Sequence, residues 1–357
     1  MALTLMKGSE AIAEAAIRAG CRYFFGYPIT PQTEIPEYMS ERMPEIGGCF
    51  LQAESEVGAI NMVYGAAGTG ERVLTSSSSP GVSLKQEGIS YIAGAKLPCV
   101  IMNVMRGGPG LGSIQAGQGD YFQATKGGGH GDYHLVVFAP ASVQESIDLM
   151  SVAFETADKY QCPVMIVADG MICQMMEPVV LPEMKEYKVD LEKKPWAANG
   201  HGLSKKSGRS IINSMYITTE ALTEHNEVLQ ACYREIEANE VRYEAYNMEN
   251  AEIVVTAFGT VARIAKSAID DLKEEGFNVG LFRPITLWPF PKKAISQAAD
   301  QVKCFVSVEL SMGQMVEDIQ LASGCRRPVS LCNRVGGMIP SPDQVLESIR
   351  KAAKGEN

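Results

Sequence analysis

The sequence predicts an α/β protein in which a doubly wound parallel sheet is followed by a second, smaller α/β domain. Three observations lead to this fold class. Apolar segments of strand length alternate with helix-type segments up to about residue 170. One of them, residues 98–105 (PCVIMNVM), is almost continuously apolar, which is typical of a parallel strand covered on both faces. The alternation stops after residue 170 and resumes at Ala251.

Each predicted element of the first domain rests on a local pattern. The first helix, residues 9–19, is rich in Ala and Glu, has an apolar face and ends at Gly20. Helix 142–157 begins with Ser142 and Glu145 in the spacing of a capping box. The same patterning predicts strands 23–25, 49–51, 72–74, 98–105, 135–138 and 163–168, and helices 32–43, 57–68 and 84–95.

Residues 171–250 lose this alternation. Pro, Lys, Glu and Gly dominate residues 177–209, which indicates an extended excursion, and residues 219–246 have the composition of an exposed, charged connecting helix. The second domain is predicted to contain strands 252–257, 278–282, 304–309 and 329–332, and helices 261–275, 292–299, 314–321 and 342–353. We therefore expect domains at 1–175 and 251–357, joined by a linker at 176–250.

Composition narrows the class of protein. A net charge of -10 argues against a nucleic-acid surface. The nine cysteines are scattered and none forms a C-x-x-C pair, so neither a zinc site nor an iron-sulfur cluster is expected in this chain, and no metal ligands are predicted. Without a signal peptide or an apolar run of membrane-spanning length, the chain is expected to be cytoplasmic with reduced thiols.

The loop 26–34 (GYPITPQTE) is the first candidate for a functional site. It follows an aromatic strand, and Pro28 and Pro31 each fix their own φ and favour extended geometry at the residue before them. The Thr30 hydroxyl is thus held on a stiff backbone at a strand's carboxyl end, where open α/β sheets bind ligands. The alternative is a rigid turn in which Thr30 or Thr33 caps the next helix.

Three further segments contain candidate residues. Glu56 lies near a helix N-terminus, where a carboxylate often only compensates the helix dipole, and Glu54 could do the same. The serines 76–79 form either a polar loop lining a site or a flexible linker. Arg106 is followed by glycines at 107, 108, 110 and 112, but residues 115–119 continue as loop, so no helix opens there to bind a dinucleotide.

Glycine-rich and acidic features remain open to two explanations. The loops around residues 107–112 and 127–129 indicate either close backbone approach or a mobile surface. Glu309 and the loop 334–337 resemble parts of a site, although contacts with a partner subunit are the preferred explanation.

Together these segments resemble the α chain of the 2-oxoacid:ferredoxin oxidoreductases, which are thiamine-diphosphate enzymes of anaerobic metabolism. The resemblance covers residues 1–175 and 250–357 and is weakest between them. The sequences of its motifs are most similar to those of the branched-chain, 2-ketoisovalerate type, and next most similar to those of the 2-oxoglutarate type. The motifs that carry it are GYPITP (26–31), AESEVGAI (53–60), SSSSPGVSLKQEGISYIAGAKLP (76–98), MRGGPG (105–110) and KGGGHGDY (126–133).

The resemblance implies a role for each of several residues. Glu56, the second acid of AESE, corresponds to the glutamate that hydrogen-bonds N1′ of the cofactor's aminopyrimidine and promotes its activation. Thr30 and Arg106 correspond to the residues that contact the 2-oxoacid carboxylate, and a guanidinium suits this contact because it can bind a carboxylate bidentately. The residues expected to line the site are Tyr27, Ser78, Gly107, Gly108 and His130.

The resemblance also implies that this chain supplies half of an active site. It implies a transketolase-like, pyrimidine-binding first domain and a transketolase C-terminal-like second domain. The diphosphate and its magnesium are expected on a β subunit, and iron-sulfur clusters on a γ subunit and a ferredoxin-like subunit. Coenzyme A is the expected co-substrate and ferredoxin the electron acceptor. The sequence Ala168-Asp169-Gly170 with Asn199 downstream only approximates the family's metal motif and is interpreted as coincidence. A non-catalytic scaffold subunit is the alternative of another class.

Overall fold

A computed structural model describes residues 3–190, 192–198, 200 and 209–356. Its strands are β1 Thr4–Lys7, β2 Tyr23–Gly26, β3 Cys49–Gln52, β4 Val73–Ser77, β5 Cys99–Met105, β6 Val136–Phe138, β7 Pro163–Asp169, β8 Met176–Val179, β9 Tyr243–Tyr246, β10 Ile253–Ala257, β11 Val279–Pro284, β12 Thr286–Trp288, β13 Cys304–Glu309 and β14 Val329–Asn333. Its helices are α1 Gly8–Arg18, α2 Glu34–Glu45, α3 Glu56–Gly68, α4 Ser79–Gly94, α5 Tyr121–Thr125, α6 Val143–Tyr160, α7 Gly170–Gln174, α8 Thr219–Asn239, α9 Thr260–Glu274, α10 Lys292–Gln301, α11 Met315–Ala322 and α12 Pro342–Ala353. Asn199 and part of the predicted excursion 177–209 lie outside the described residues.

The first sheet has seven strands in the order β12-β6-β7-β5-β4-β2-β3. All neighbours are parallel except β12, which pairs antiparallel with β6. The chain builds outward from β2 to β3 and then returns to place β4 on the other side of β2. The direction of winding therefore reverses between β2 and β4, which confirms the predicted doubly wound sheet and defines its topological switch point.

The second sheet has five strands in the order β14-β13-β10-β11-β9, with β9 antiparallel at its edge. The prediction of one helix over 219–246 was wrong at its end, because α8 stops at Asn239 and Tyr243–Tyr246 pairs with β11. Pairing with a distant strand overrides local composition here. Nor is α8 wholly exposed, since Leu229, Tyr233 and Ile236 are buried.

The serine run is neither linker nor loop. Ser76 and Ser77 end β4, Ser78 is the N-cap of α4 and Ser79 is its first residue, so the helix begins five residues before the predicted start at residue 84. Pro80 is compatible with this start because a proline in the first helical turn displaces no intrahelical hydrogen bond.

Helices α3 and α4 pack closely against each other, as the small residues of α3 predict. A Cβ on Gly88 of α4 would lie 2.4 Å from Cγ2 of Ile60, so only glycine permits this approach. Ser55 caps α3 by accepting a hydrogen bond from Gly58 N at 3.1 Å. Among the described residues, no helix is long and apolar enough to cross a membrane.

Buried polar contacts join the two sheets. Asp169 at the end of β7 accepts hydrogen bonds from the backbone N (2.8 Å) and hydroxyl (2.5 Å) of Thr260, the first residue of α9. Ser142 caps α6 as predicted, but the Glu145 carboxylate binds Ala141 N and the Arg283 guanidinium of β11 instead of closing a capping box. Side chains that sequence reasoning assigned to local structure thus link distant parts of the chain.

Candidate active site

Four neighbouring strands of the first sheet bring the predicted residues to one edge. The Thr30 loop follows β2, Glu56 follows β3, Ser78 follows β4 and Arg106 follows β5. Because these strands are parallel, their carboxyl ends lie at the same edge of the sheet. Thr30 and Ser78 flank the switch point between β2 and β4, the position at which ligands bind in such sheets.

Arg106 lies against the Thr30 loop. Its Nη1 donates to the Thr30 carbonyl oxygen at 2.7 Å and its Nη2 to the Leu111 carbonyl oxygen at 2.9 Å. The side chain is 6% exposed, and its buried Nε has no hydrogen-bond partner among the described residues. Thr30 itself is exposed. The guanidinium therefore spans two loops and keeps an unused donor, whose pairing would offset the cost of burying it.

Gln32 also stabilises the Thr30 loop, through buried hydrogen bonds. This residue was not identified from the sequence. Its side chain is fully buried, its Nε2 donates to the Tyr27 carbonyl oxygen at 3.1 Å, and its Oε1 accepts a hydrogen bond from the Ser76 hydroxyl. Tyr27 is half-buried at the start of the loop. The sequence feature that could have indicated Gln32 is its position directly after Pro31, in a loop that Pro28 and Pro31 stiffen. A buried amide there needs hydrogen-bond partners for both its oxygen and its nitrogen.

Glu56 is the first residue of α3 and is 6% exposed. Within the described part of the chain its carboxylate accepts no hydrogen bond. Glu54, two residues earlier, is exposed, and its carboxylate lies beside Gly58 at the helix start. Both acids lie at the start of α3, where they can compensate the helix dipole, but they differ in exposure: Glu54 is exposed and Glu56 is buried.

Gly81 of α4 faces Glu56 across a narrow gap. A Cβ on Gly81 would lie 2.6 Å from Glu56 Oε1 and 2.2 Å from Ser77 Oγ. The buried hydroxyls of Ser77 and Ser78 have no partner among the described residues. Two buried hydroxyls are thus left unsatisfied beside the Glu56 carboxylate, which is the expected state of polar groups that bind a ligand.

A buried lysine lies behind this edge. Lys85 of α4 is fully enclosed, and its Nζ donates to Thr75 Oγ1 at 2.6 Å and to the Ser76 carbonyl oxygen at 3.0 Å. Burial lowers the pKa of Lys85 to about 7, while the charge of Glu56 opposes that change. Within the sequence this lysine is indistinguishable from a solvated helix residue.

Asp120 holds the backbone of Arg106 in place. Its carboxylate accepts hydrogen bonds from Ser79 Oγ at 2.6 Å and Asn103 Nδ2 at 2.9 Å, and Ser79 Oγ accepts one from Arg106 N at 3.0 Å. Burial raises the pKa of the Asp120 carboxyl, although these hydrogen bonds and the Arg106 charge favour its ionised form.

The glycine loop after Arg106 is compact. Gly107 N donates to the Gln115 carbonyl oxygen at 2.9 Å, and Gly107 is buried while Gly108 is exposed. The loop 334–337 packs directly on it, since a Cβ on Gly337 would lie 2.3 Å from the Gln115 Cβ. Close backbone approach within this chain therefore explains Gly112 and Gly337, whereas a Cβ on Gly108 or Gly110 would meet open space.

Two candidate residues do not join this group. His130 is exposed and meets the Tyr91 ring edge to face at 6.3 Å, near the far end of α4, roughly 18 Å along that helix from Ser79. Glu309 is 1% exposed and accepts hydrogen bonds from two serine hydroxyls and three backbone N–H groups at the start of α11. Within this chain, Glu309 therefore organises a helix N-terminus.

Two family models match the chain. Residues 14–245 match the model described as pyruvate flavodoxin/ferredoxin oxidoreductase, thiamine diP-bdg. Residues 251–345 match the one described as pyruvate:ferredoxin oxidoreductase core domain II. The two matches meet where the predicted linker ends.

Curated relatives match along the whole chain. The ketoisovalerate oxidoreductase subunit VorB of Methanothermobacter thermautotrophicus is 51% identical over 354 residues, which cover 99% of each chain. The 2-oxoglutarate synthase subunit KorA of Methanocaldococcus jannaschii is 34% identical over 370 residues, which cover 98% of this chain and 100% of that one.

Solved structures share the fold. The 2-oxoglutarate:ferredoxin oxidoreductase from Magnetococcus marinus superposes with a TM-score of 0.86 at 22% identity. The match covers 98% of this chain and 65% of that chain, so this protein spans about two thirds of its length. A split-gene transketolase superposes with a TM-score of 0.62 at 15% identity over 99% of both chains. The predicted transketolase-like architecture is thus confirmed.

Proposed function

The chain belongs to the pyruvate flavodoxin/ferredoxin oxidoreductase family, and from this premise we propose that it is the α subunit of a thiamine-diphosphate-dependent 2-oxoacid:ferredoxin oxidoreductase. The proposed reaction is the oxidative decarboxylation of a branched-chain 2-oxoacid, 2-ketoisovalerate, to acyl-CoA and CO2 with reduction of ferredoxin. The observation that carries the proposal is the position of Glu56, which is 6% exposed and receives no hydrogen bond from the described residues, at the same sheet edge as the Thr30–Arg106 pair.

The residues at the switch point fit the aminopyrimidine half of thiamine diphosphate. The Ser77 and Ser78 hydroxyls are buried and lack partners among the described residues, and Glu56 is 6% exposed with no hydrogen bond to its carboxylate from those residues. Gly81 leaves the space in front of Glu56 that any side chain would fill. A carboxylate there can accept a hydrogen bond from a ring nitrogen that carries a proton. We therefore assign the pyrimidine-binding role to the first domain, residues 1–175.

Thiamine diphosphate, when bound, supplies the nucleophilic carbon and the electron sink that decarboxylation of a 2-oxoacid requires. Glu56 would hold and return the proton at N1′, and its low exposure keeps water from competing for that proton. Arg106, through its unused Nε, and Thr30, through its exposed hydroxyl, would bind and orient the substrate carboxylate. Arg106 already holds the Thr30 carbonyl, so the two side chains act on the same anion from one rigid unit.

The diphosphate and its magnesium are assigned to a β subunit. Asp169, the residue that resembles a metal ligand in the sequence, is fully buried and directs its carboxylate to Thr260. The Asp169 carboxylate is thus already hydrogen-bonded to Thr260, which supports the proposal that a second chain supplies the diphosphate site. We likewise assign the iron-sulfur clusters to a γ subunit and a ferredoxin-like subunit, ferredoxin as acceptor, coenzyme A as co-substrate, and a cytoplasmic location. Residues 251–357 form the proposed transketolase C-terminal-like domain, and 176–250 the connection.

The substrate class separates this proposal from its alternative. The likeness to a ketoisovalerate oxidoreductase subunit is 51%, against 34% for a 2-oxoglutarate synthase subunit, and this difference favours the branched-chain acid. The test is to purify the complex that contains this chain and to measure kcat/KM for a panel of 2-oxoacids with a viologen acceptor. We expect 2-ketoisovalerate to lead. A preference for 2-oxoglutarate would contradict the substrate assignment, and a complex without activity on any 2-oxoacid would favour a scaffold role.

A further inference from the structure

Lys85 is a buried cation that the proposed chemistry does not use. Its side chain is fully enclosed within α4, beneath the edge that carries Glu56 and the Thr30 loop. Burying an ammonium is costly unless several acceptors surround it. Two acceptors are present at the end of β4, Thr75 Oγ1 at 2.6 Å and the Ser76 carbonyl oxygen at 3.0 Å. A methionine of similar length would fill this space without that cost, so the lysine calls for another explanation.

A continuous set of hydrogen bonds leads from Lys85 to the substrate loop. Lys85 holds the Ser76 carbonyl, the Ser76 hydroxyl donates to Gln32 Oε1, and Gln32 Nε2 donates to the Tyr27 carbonyl oxygen. Lys85, Ser76 and Gln32 are all buried. Tyr27 is the first residue of the loop 27–33, which contains Thr30 and Pro31. The conformation of that loop therefore depends on a chain of contacts that starts at the ammonium.

We propose that Lys85 is a positioning residue for the 2-oxoacid site, acting through Ser76 and Gln32 on the loop 27–33 that carries Thr30. This inference rests on the proposed function and adds to it a residue that touches neither substrate nor cofactor. Lys85 donates to both acceptors in either protonation state, and its protonated form fixes the end of β4 most firmly, because hydrogen bonds from a charged donor are roughly twice as strong as neutral ones. The hydrogen bonds through Ser76 and Gln32 then restrain the loop as well.

The charges around Lys85 are consistent with this role. The groups that act on it electrostatically are Glu56 from α3 and Cys99 from β5. Burial raises the pKa of the Cys99 thiol to about 12, so that thiol is neutral and Glu56 is the anion facing the ammonium. Lys85 therefore binds the strand end that supports the substrate loop and also feels the charge of the carboxylate proposed to act on the cofactor.

Amide hydrogen exchange of the full chain tests the proposal without any turnover. The variants are Lys85→Met and, as a matched control, Lys194→Met. Lys194 is also a buried lysine, with Nζ bound to Asp158, Tyr187 and the Gly70 carbonyl oxygen, at the opposite edge of the sheet. We expect Lys85→Met to speed exchange in peptides covering residues 27–35 by at least about fivefold, the ratio that loss of one net hydrogen bond gives. Lys194→Met should leave those peptides unchanged.

Equal exchange of residues 27–35 in the wild type and Lys85→Met would overturn the proposal, as would the same increase in both variants. Should Lys85→Met fail to fold, Ser76→Ala carries the test, because it breaks the bond to Gln32 while leaving the lysine in place. Unchanged exchange of that segment in Ser76→Ala would then refute the proposal.

Kinetics of the assembled complex supply a second readout. A looser loop weakens substrate binding, so Lys85→Met should raise KM for the 2-oxoacid at least about fivefold while kcat falls less. A fall in kcat with unchanged KM would contradict action through the loop. If the complex turns over no 2-oxoacid at all, the proposed function fails, whereas the exchange experiment still decides the role of Lys85.

Discussion

Replacing Glu56 by Gln separates a catalytic carboxylate from a helix-capping one. The substitution keeps the size and one hydrogen-bonding oxygen but removes the ability to exchange a proton. Because the carboxylate accepts no hydrogen bond within the described residues, the folded chain loses only its contribution to the helix dipole, about 0.3–1 kcal/mol. The loss of its charge beside Lys85 is relieved by deprotonation, since the pKa of that lysine is already lowered to about 7. Stability should therefore change little.

Turnover should change much more. General acid–base contributions are typically about 10²–10⁴-fold, which corresponds to roughly 3–5 kcal/mol in the activation barrier. The assay is single-turnover decarboxylation in the reconstituted complex, paired with melting temperatures of the chain. Glu54→Gln is the control, because that residue is exposed at the same helix start. Glu54→Gln should leave the rate of decarboxylation nearly unchanged, while it lowers the free energy of unfolding by about as much as Glu56→Gln does.

Near-normal decarboxylation by Glu56→Gln would refute the assignment of this carboxylate to the cofactor. Equal losses in the Glu56 and Glu54 variants would also refute it, because a shared loss would point to the helix start as a whole.

Three further predictions follow from neighbouring contacts. Arg106→Lys should raise KM at least about tenfold, because an ammonium cannot hold the two loop carbonyls and also offer a further donor in the geometry of the guanidinium; an unchanged KM with weaker cofactor binding would contradict this. Gly81→Ala should lower kcat with only a modest drop in melting temperature, since the new Cβ displaces the Glu56 carboxylate and the Ser77 hydroxyl; wild-type kcat would show that this gap is unimportant. The pKa of Lys85 is about 7 when folded, below its unfolded value near 10.5, so the unfolded chain binds more protons between these values and stability gains from this group as pH rises. From pH 7 to 10 the melting temperature of the wild type should therefore rise relative to that of Lys85→Met. The two values should converge if Lys85→Met is the more stable protein at pH 7, and diverge if it is the less stable one. A difference that stays constant over this pH range would contradict the lowered pKa of Lys85.

The fold was predictable wherever one short segment contained all the relevant information. The last helix, Pro342–Ala353, has a serine cap, an amphipathic face and basic residues in its final turn, and its predicted bounds match those of the structure. Strand β9 was not predictable in this way. Its residues Tyr243–Tyr246 follow a helix without a break in composition, and only pairing with β11 makes them a strand.

The site residues also fall into two groups, those that local sequence predicts and those that depend on distant packing. Thr30, Glu56, Ser78 and Arg106 each follow a recognisable strand, so their meeting at one edge could be inferred from the alternation of elements. Lys85 could not be found, because burial of its ammonium depends on how α4 packs on the sheet. Assigning His130 to the group required knowing where a long glycine-rich loop returns, and the structure places that loop along the side of α4.

The position of β12 bears on how the protein is made in the cell. Thr286–Trp288 is synthesised after three strands of the second sheet, β9, β10 and β11, yet it completes the edge of the first sheet by pairing with Val136–Phe138. A nascent chain that has emerged only to residue 250 therefore exposes an unpaired, apolar strand edge, which is prone to pair with other chains. We expect a chain truncated after residue 250 to aggregate during expression. Shuffling the two halves between relatives should succeed only when the piece 286–288 is exchanged together with the first half.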